Sequence, residues 1–381
     1  MSLPYASSST ATSAPTTPNT DRLQRLRQLL TERGLDAVLI THPSNRFYLS
    51  GYTGEDLPPD ESAGILLVSP DVAVVMTSPN NVGWARSEAA GFEAIPWQRP
   101  WIKSVAEQIK QRGWRRLGFE ENATLVATHR DLLSELDGAE LVALGDAVDQ
   151  LRRVKEPAEL AALAAAIALT DEVFVAATAG LQPGITEREL AWRIEREMRE
   201  RGAEGPAFET IVASGPHSAR PHHRATDRPI GPGEPVIIDM GARLRGYNGD
   251  LTRTIWLGEP DARLREIYPI VAAAQHAALA AMRPGVSGKD ADAAAREVIA
   301  AAGFDDAFLH GLGHGLGVRV HEAPSAGPTS QDVLQAGEVV TLEPGIYLPG
   351  WGGVRIEDVG VIEASGVRVL TRAPKRREDR G

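Results

Sequence analysis

Leu23, Leu26, Leu29 and Leu30 recur at helical spacing over 21–33, with Thr20 placed to cap the start and Gly34 to stop the end. Short apolar runs at 37–40, 64–68 and 72–76, broken by Pro, Ser, Asn and Asp, predict strands. Residues 81–90, 101–112 and 125–136 carry helical patterns. Helices alternating with short strands predict a mixed α/β domain over 21–150. Residues 1–20 are almost entirely Ser, Thr, Ala and Pro, a composition that predicts a disordered tail and lacks the basic start and apolar block of a secretory leader.

The texture changes at Leu151. Residues 156–180 read as a long Ala-rich helix, and Thr186 opens another, with Glu189 completing a capping box. This second domain, 151–381, contains itself twice. Gln182-Pro183-Gly184-Ile185-Thr186 recurs as Arg283-Pro284-Gly285-Val286-Ser287, an offset of 101 residues. Gly233-Glu234-Pro235-Val236-Ile237-Ile238-Asp239-Met240-Gly241 recurs as Gly337-Glu338-Val339-Val340-Thr341-Leu342-Glu343-Pro344-Gly345, an offset of 104. Each copy reads helix, turn, helix, strands. Two matches in one order at nearly one offset predict a duplicated unit of about 100 residues, packed around a pseudo-two-fold axis with equivalent strand ends facing each other. The fold class expected is therefore α/β (α+β): a small N-terminal α/β domain, then two pseudo-symmetric helix–helix–strand units.

Each duplicated strand ends in a carboxylate, Asp239 or Glu343, and a second carboxylate follows, Asp250 or Glu357. If each pair faces across an antiparallel hairpin, its midpoint falls in a turn. The first pair centres on Leu244-Arg245 and the second on Gly350, and both are credible turns. Four carboxylates converging near one axis repel one another and resist desolvation unless protons or cations neutralise them. Two divalent ions cancel the charge. His314, in Gly313-His314-Gly315, supplies an imidazole between glycines that permit close backbone approach, and the run fails the dinucleotide fingerprint because Leu316 and Val318 stand where glycine is needed. His222, His321 and Arg355 flank this set.

Composition then removes other classes. Lys+Arg 40 against Asp+Glu 51 gives a formal net charge of −11, with no basic run, which argues against nucleic acid or an anionic membrane as partner. Zero cysteines exclude a disulfide scaffold, a thiol nucleophile and a Cys-ligated zinc site. The longest apolar stretches, such as 161–169, fall far short of ~20 residues, so no membrane span and a cytoplasmic location are expected. Oxygen ligands with one imidazole suit Mn²⁺, Co²⁺ or Zn²⁺, with Mn²⁺ favoured.

In this order the residues resemble the pita-bread metallopeptidases, in the branch holding Xaa-Pro dipeptidase (prolidase) and Xaa-Pro aminopeptidase (aminopeptidase P). The likeness is carried by Ile211-Val212-Ala213-Ser214-Gly215 through Pro221-His222, Ile238-Asp239-Met240-Gly241 with Asp250-Leu251-Thr252-Arg253-Thr254, Gly313-His314-Gly315-Leu316-Gly317 with His321-Glu322, Glu343-Pro344-Gly345, and Arg355-Ile356-Glu357-Asp358. It is dense over 205–360 and thin before 150, mainly Asn45 through Tyr52.

The resemblance implies that Asp239 holds one ion, His314 with Glu343 the other, and that Asp250 and Glu357 bridge. It implies that Glu343 takes the proton of the attacking hydroxide while His222 and His321 donate to the oxyanion or orient the substrate. The substrates implied are short proline-containing peptides, with a leaning to Xaa-Pro dipeptides over longer Xaa-Pro peptides, and the assembly implied is a homodimer. A dipeptide's carboxylate calls for a cation, and Arg220, Arg319, Arg355 and Arg46 stand near the motifs. Arg355 fits equally as the partner of a ligand carboxylate. His310, His217 and His223 read as packing or loop residues, and Trp97 and Trp101 as domain packing. A creatine-type amidinohydrolase would lack the five ligands, a methionine aminopeptidase would not need the N-terminal domain, and a binding module would have no reason to keep the ligands.

Overall fold

The computed structural model describes residues 20–57, 61–136 and 138–375. Apart from Thr20, the tail expected over 1–20 lies outside the described residues. The chain divides into two compact units, the first ending at Val148 and the second beginning at Asp149.

In the first unit Thr20 is the first residue of the helix Thr20–Arg33 rather than its cap. The described residues form a mixed six-stranded sheet in the order Glu93–Pro96, Ala73–Thr77, Ile65–Val68, Ala37–Ile40, Arg116–Phe119 and Glu140–Ala143. The three apolar runs read from the sequence are its centre. The other three strands escaped the pattern: each begins with a charged residue, Glu93, Arg116 or Glu140, and the outermost two are only half covered, so they show no long apolar run. A helix at Pro43–Ser50 also escaped, because it buries polar Asn45, Arg46 and Ser50. His42 caps it, its Nδ1 accepting from Ser44 N at 3.1 Å, and Pro43 fits the first turn, which needs no donor. Trp97 lies in the core with Leu39, Val105 and Leu117, and Trp101 packs on it with ring centroids 6.0 Å apart.

The second unit shows the duplication directly. The helices Pro157–Thr178 and Glu187–Glu200 precede a sheet of Ile211–Ser214, Val236–Met240 and Leu251–Ile255. The helices Ala262–Ala281 and Gly288–Ala301 precede a sheet ordered Glu322–Ala326, Gly313–Gly315, Val339–Leu342, Asp358–Glu363, Gly366–Val369. Equivalent residues make equivalent bonds. Gly184 N donates to Ile230 O at 2.8 Å, and Gly285 N to Leu334 O at 2.9 Å. Thr186 and Ser287 both cap the helices that follow, and each bridges to the matching strap, at Pro229 and Val333. Each copy has its own apolar core, the first around Val173, Phe174, Ile194 and Ile238, the second around Ile267, Val271, Ile299 and Leu342.

Pro157–Thr178 departs from one expectation. At 22 residues it is long and apolar enough by composition to cross a membrane, although no single apolar run in it approaches that length. Its buried side chains include Thr170 and Asp171 as well as Val173 and Phe174. Thr170 Oγ1 accepts from Ala242 N at 3.0 Å, and Asp171 accepts from Arg372 N and Ala373 N at 2.7 and 2.9 Å. Those bonds make it a core helix of this unit.

Candidate metal centre

Asp239 is the penultimate residue of the strand Val236–Met240, whose other four residues are apolar and buried and which pairs on both sides, with Ile211 and Thr252 facing Asp239. Asp239 faces Thr252, not Asp250, across the hairpin. The chain turns at Arg245-Gly246, both with positive φ (52° and 76°), one residue later than expected, because a tight two-residue turn needs the left-handed conformation that Gly246 supplies. Asp250 is thereby two residues off the Asp239 partner, still on the same face. The second hairpin is as expected: the pairs Leu342↔Asp358 and Gly345↔Arg355 both centre on Gly350.

The five ligand candidates come together. Oxygens of Asp239, Asp250 and Glu357 lie within 4.8 Å of one another. His314 Nε2 is 3.3 Å from Glu343 Oε1 and 3.9 Å from Asp250 Oδ2. His314 Nδ1 bonds the Gly315 carbonyl at 3.1 Å, which fixes the ring and turns Nε2 toward the carboxylates. Glycine is needed on both sides of it: a Cβ at Gly313 would collide with the Thr341 carbonyl, and one at Gly315 with the Ala323 carbonyl. Threonines align the acids, Thr252 Oγ1 donating to Glu357 Oε2 at 2.8 Å and Thr341 Oγ1 to Glu343 Oε1 at 3.2 Å.

Burial pushes Asp250 and Glu357 well above the usual carboxylate range, and neighbouring acids add to it: Glu357 and Asp239 for the former, Glu343 and Asp239 for the latter. Asp239 is raised by burial, with Arg355 opposing. Burial also works against charge on Glu343 and His314, but their mutual bond outweighs it, holding Glu343 at about 2 and His314 at about 9. Asp239 Oδ1 and Glu357 Oε1 are buried with no hydrogen-bond partner among the described residues. Buried polar atoms seldom stay unpaired, and hard divalent cations take such oxygens as ligands. The donor set fits two divalent ions.

The set opens into a cavity of about 760 Å³, also lined by His222, His310, His321, Arg224 and Arg355. His222 and His321 are exposed to it, and the His321 ring meets His314 edge-on at 4.4 Å. Burial and His314 lower the His321 pKa. The adjacent Glu322 is buried against Lys155 at 2.6 Å and Arg152 at 3.2 Å, which anchors this corner.

Three readings need correction. Arg355 is not free to read substrate: its buried guanidinium bonds Asp239 Oδ2 at 2.6 Å, Thr252 Oγ1 at 3.1 Å and Tyr347 OH at 2.9 Å, which favours the alternative reading of it as partner of a carboxylate. Arg46 is fully buried within the first unit, bonded to the Gly64 and Gly54 carbonyls and paired with Asp56 at 3.0 Å. Only its Nε is without a partner, and that atom is buried, so no face of the guanidinium is exposed to a peptide. His310 is a cavity residue, its Nε2 bonded at 2.7 Å to Tyr347 OH, which in turn accepts from Arg355. Its place four residues before His314 was the available signal. Arg224, missed in the sequence, lines the cavity and pairs with Glu209 at 3.2 Å, both side chains exposed.

This fold and donor set define a metallopeptidase, and comparison with known proteins names the class. Residues 161–364 match Metallopeptidase family M24 and residues 22–154 the Creatinase/Prolidase N-terminal domain, so the chain belongs to metallopeptidase family M24. Among its relatives, the Xaa-Pro dipeptidase of Pyrococcus furiosus is 36% identical, covering 93% of this chain and 99% of its own. The solved Xaa-Pro dipeptidase from Bacillus anthracis is 37% identical with a TM-score of 0.88, covering 94% of this chain and 98% of its own. The X-Pro aminopeptidase from Thermotoga maritima is 34% identical with a TM-score of 0.84, covering 93% and 99%.

Proposed function

We propose that this chain hydrolyses the bond before proline in Xaa-Pro dipeptides, with residues 151–381 as the catalytic domain and residues 21–150 as a small N-terminal domain. The observation that carries the reading is the convergence of four carboxylates and His314, with two carboxylate oxygens left unpaired, at the floor of a peptide-sized cavity. Asp239, Asp250, His314, Glu343 and Glu357 hold two divalent ions. When bound, the ions supply charge balance and Lewis acidity for a hydrolytic water.

The chain's own groups do the rest. Glu343 accepts the proton of the attacking water and passes it to the leaving imino nitrogen of proline. His321, kept neutral near pH 7 by its lowered pKa, and His222 donate to the carbonyl oxygen as charge develops on it. Arg355 orients Asp239 and opposes the burial that disfavours its charge. The proline amide has no N–H, so a site shaped to the pyrrolidine ring excludes ordinary peptides by fit. Arg224 receives the dipeptide's carboxylate: its exposed pair with Glu209 is worth only about 0–1 kcal/mol, so a substrate anion displaces it.

Mn²⁺ as the native ion, a homodimer and a cytoplasmic location complete the reading. Its test compares Ala-Pro with Ala-Pro-Ala on metal-stripped protein reloaded with Mn²⁺, Co²⁺ or Zn²⁺. Faster cleavage of Ala-Pro, weakened selectively in Arg224→Ala, supports a dipeptidase. A wild-type preference for Ala-Pro-Ala makes it an aminopeptidase P instead.

A further inference from the structure

Glu187 lies in the first turn of the helix Glu187–Glu200, outside the metal centre, and its side chain is wholly buried. It is the hub of one stretch of chain. Oε1 accepts from Ser214 N and Ser214 Oγ, both at 2.8 Å, and lies 3.0 Å from His217 Nδ1. Oε2 accepts from Thr226 N at 3.1 Å and Thr226 Oγ1 at 2.7 Å, and lies 3.1 Å from His223 Nε2. The two imidazoles pack together with centroids 4.3 Å apart. One carboxylate thus grips the segment 214–226 at both ends and at two points between.

That segment leaves the sheet at Ser214, passes through a short 3₁₀ turn at Gly215–Ala219, and places His222 on the cavity. His222 is exposed there while its neighbour His223 is buried on Glu187. A histidine on a loop is held in place only as well as the loop is, and loss of about an ångström of alignment slows a reaction severely.

We infer that Glu187 is a positioning residue for His222, clamping Ser214, His217, His223 and Thr226 so that the loop presents the imidazole to the substrate. The two histidines and Glu187 also have the spacing of a metal site. Against that, each carboxylate oxygen already accepts two hydrogen bonds from Ser214 or Thr226, and both imidazoles are satisfied as donors, so the cluster is complete without an ion. The inference rests on the reading of His222 as a substrate donor, and the test separates the two.

Steady-state hydrolysis of Ala-Pro is measured for Mn²⁺-loaded wild type, Glu187→Gln, His222→Ala and the double variant, with metal content and melting temperature for each. Glu187→Gln should lower kcat about 10-fold with KM changed less than about 2-fold, and Glu187→Asp should recover part of the loss. In the His222→Ala background the same change should cost less than about 2-fold, because a residue acting through another loses its effect when the other is gone. Losses that multiply in the double variant, or a wild-type kcat in Glu187→Gln beside a slow His222→Ala, overturn the inference alone. An unimpaired His222→Ala overturns the role of His222 and the inference with it. If Glu187→Gln does not fold, Thr226→Val and His217→Leu remove single bonds and should show smaller losses that also vanish without His222; losses that persist there overturn it. A metal ion bound by wild type and lost selectively in Glu187→Gln makes the cluster a metal site and overturns the clamp.

Discussion

Burial, and after it the neighbouring acids (Glu357 and Asp239 for Asp250, Glu343 and Asp239 for Glu357), keeps Asp250 and Glu357 protonated well above the usual range, and the same two groups would be ligands only when ionised. Binding of Mn²⁺ to stripped protein should therefore release protons, read as a dependence of calorimetric heat on buffer ionisation. An affinity that does not weaken as pH is lowered speaks against these ligands. Glu343→Gln keeps shape but removes the base and one ligand charge, so kcat should drop by ~10²-fold or more while the melting curve stays cooperative. Undiminished turnover excludes Glu343 as base. His310 was read in the sequence as packing. Its bond to Tyr347, whose phenol burial pushes up to about 12, joins it to Arg355 and Asp239, so His310→Ala should slow turnover measurably.

At the scale of elements, hairpins and helix faces decide which side chains meet. The Gly350 hairpin keeps the register the spacing implied, with Leu342 facing Asp358 and Gly345 facing Arg355 on either side of Glu343 and Glu357, whereas the Arg245-Gly246 turn moved the Asp239 partner to Thr252. The first helix pair is held to its sheet by Ile194, buried completely with Val173 and Ile238, and Ile194→Ala should cost about 2–5 kcal/mol in unfolding free energy. Glu187 ties the second helix to the loop over 214–226. Burial opposes its charge, but the bonds from Thr226, Ser214 and His223 hold it at about 2 against an ordinary 4.5. That stability is present above the unfolded value and lost as pH falls from 4.5 toward 2. Denaturant titrations across this window should show the steepest acid loss in wild type and a flatter one in Glu187→Gln.

For the whole molecule, the metal centre sets the pH behaviour. In stripped protein the folded state holds protons on Asp250 and Glu357 that the unfolded chain gives up near 4, and on His314 up to about 9. Both effects stabilise at low pH and are lost as pH rises, so its melting temperature should climb as pH falls from about 9 to 6.5, the His314 window, with Asp250 and Glu357 acting in the same sense. Loaded protein should change in the opposite sense, because protons then compete with the ions; equal slopes with and without Mn²⁺ would count against the site. The duplicated unit, its carboxylates and the central histidine were legible in the chain because a strand's apolar run and a turn's glycine are local properties. Equivalent bonds at Gly184 and Gly285 bear the repeat out. The sequence by itself also pointed to Asp239, Asp250, His314, Glu343 and Glu357 as candidates, since four converging acids need protons or cations to neutralise them. Which arginine lines the cavity with an exposed side chain, which histidine faces it and which carboxylate bonds the loop over 214–226 were decided only by tertiary structure: Arg46, Arg224, Arg355, His310 and Glu187 look alike in sequence as polar residues near motifs. Their roles depend on burial and on partners up to 116 positions away, such as Arg355 on Asp239, and no local pattern encodes a contact between distant strands.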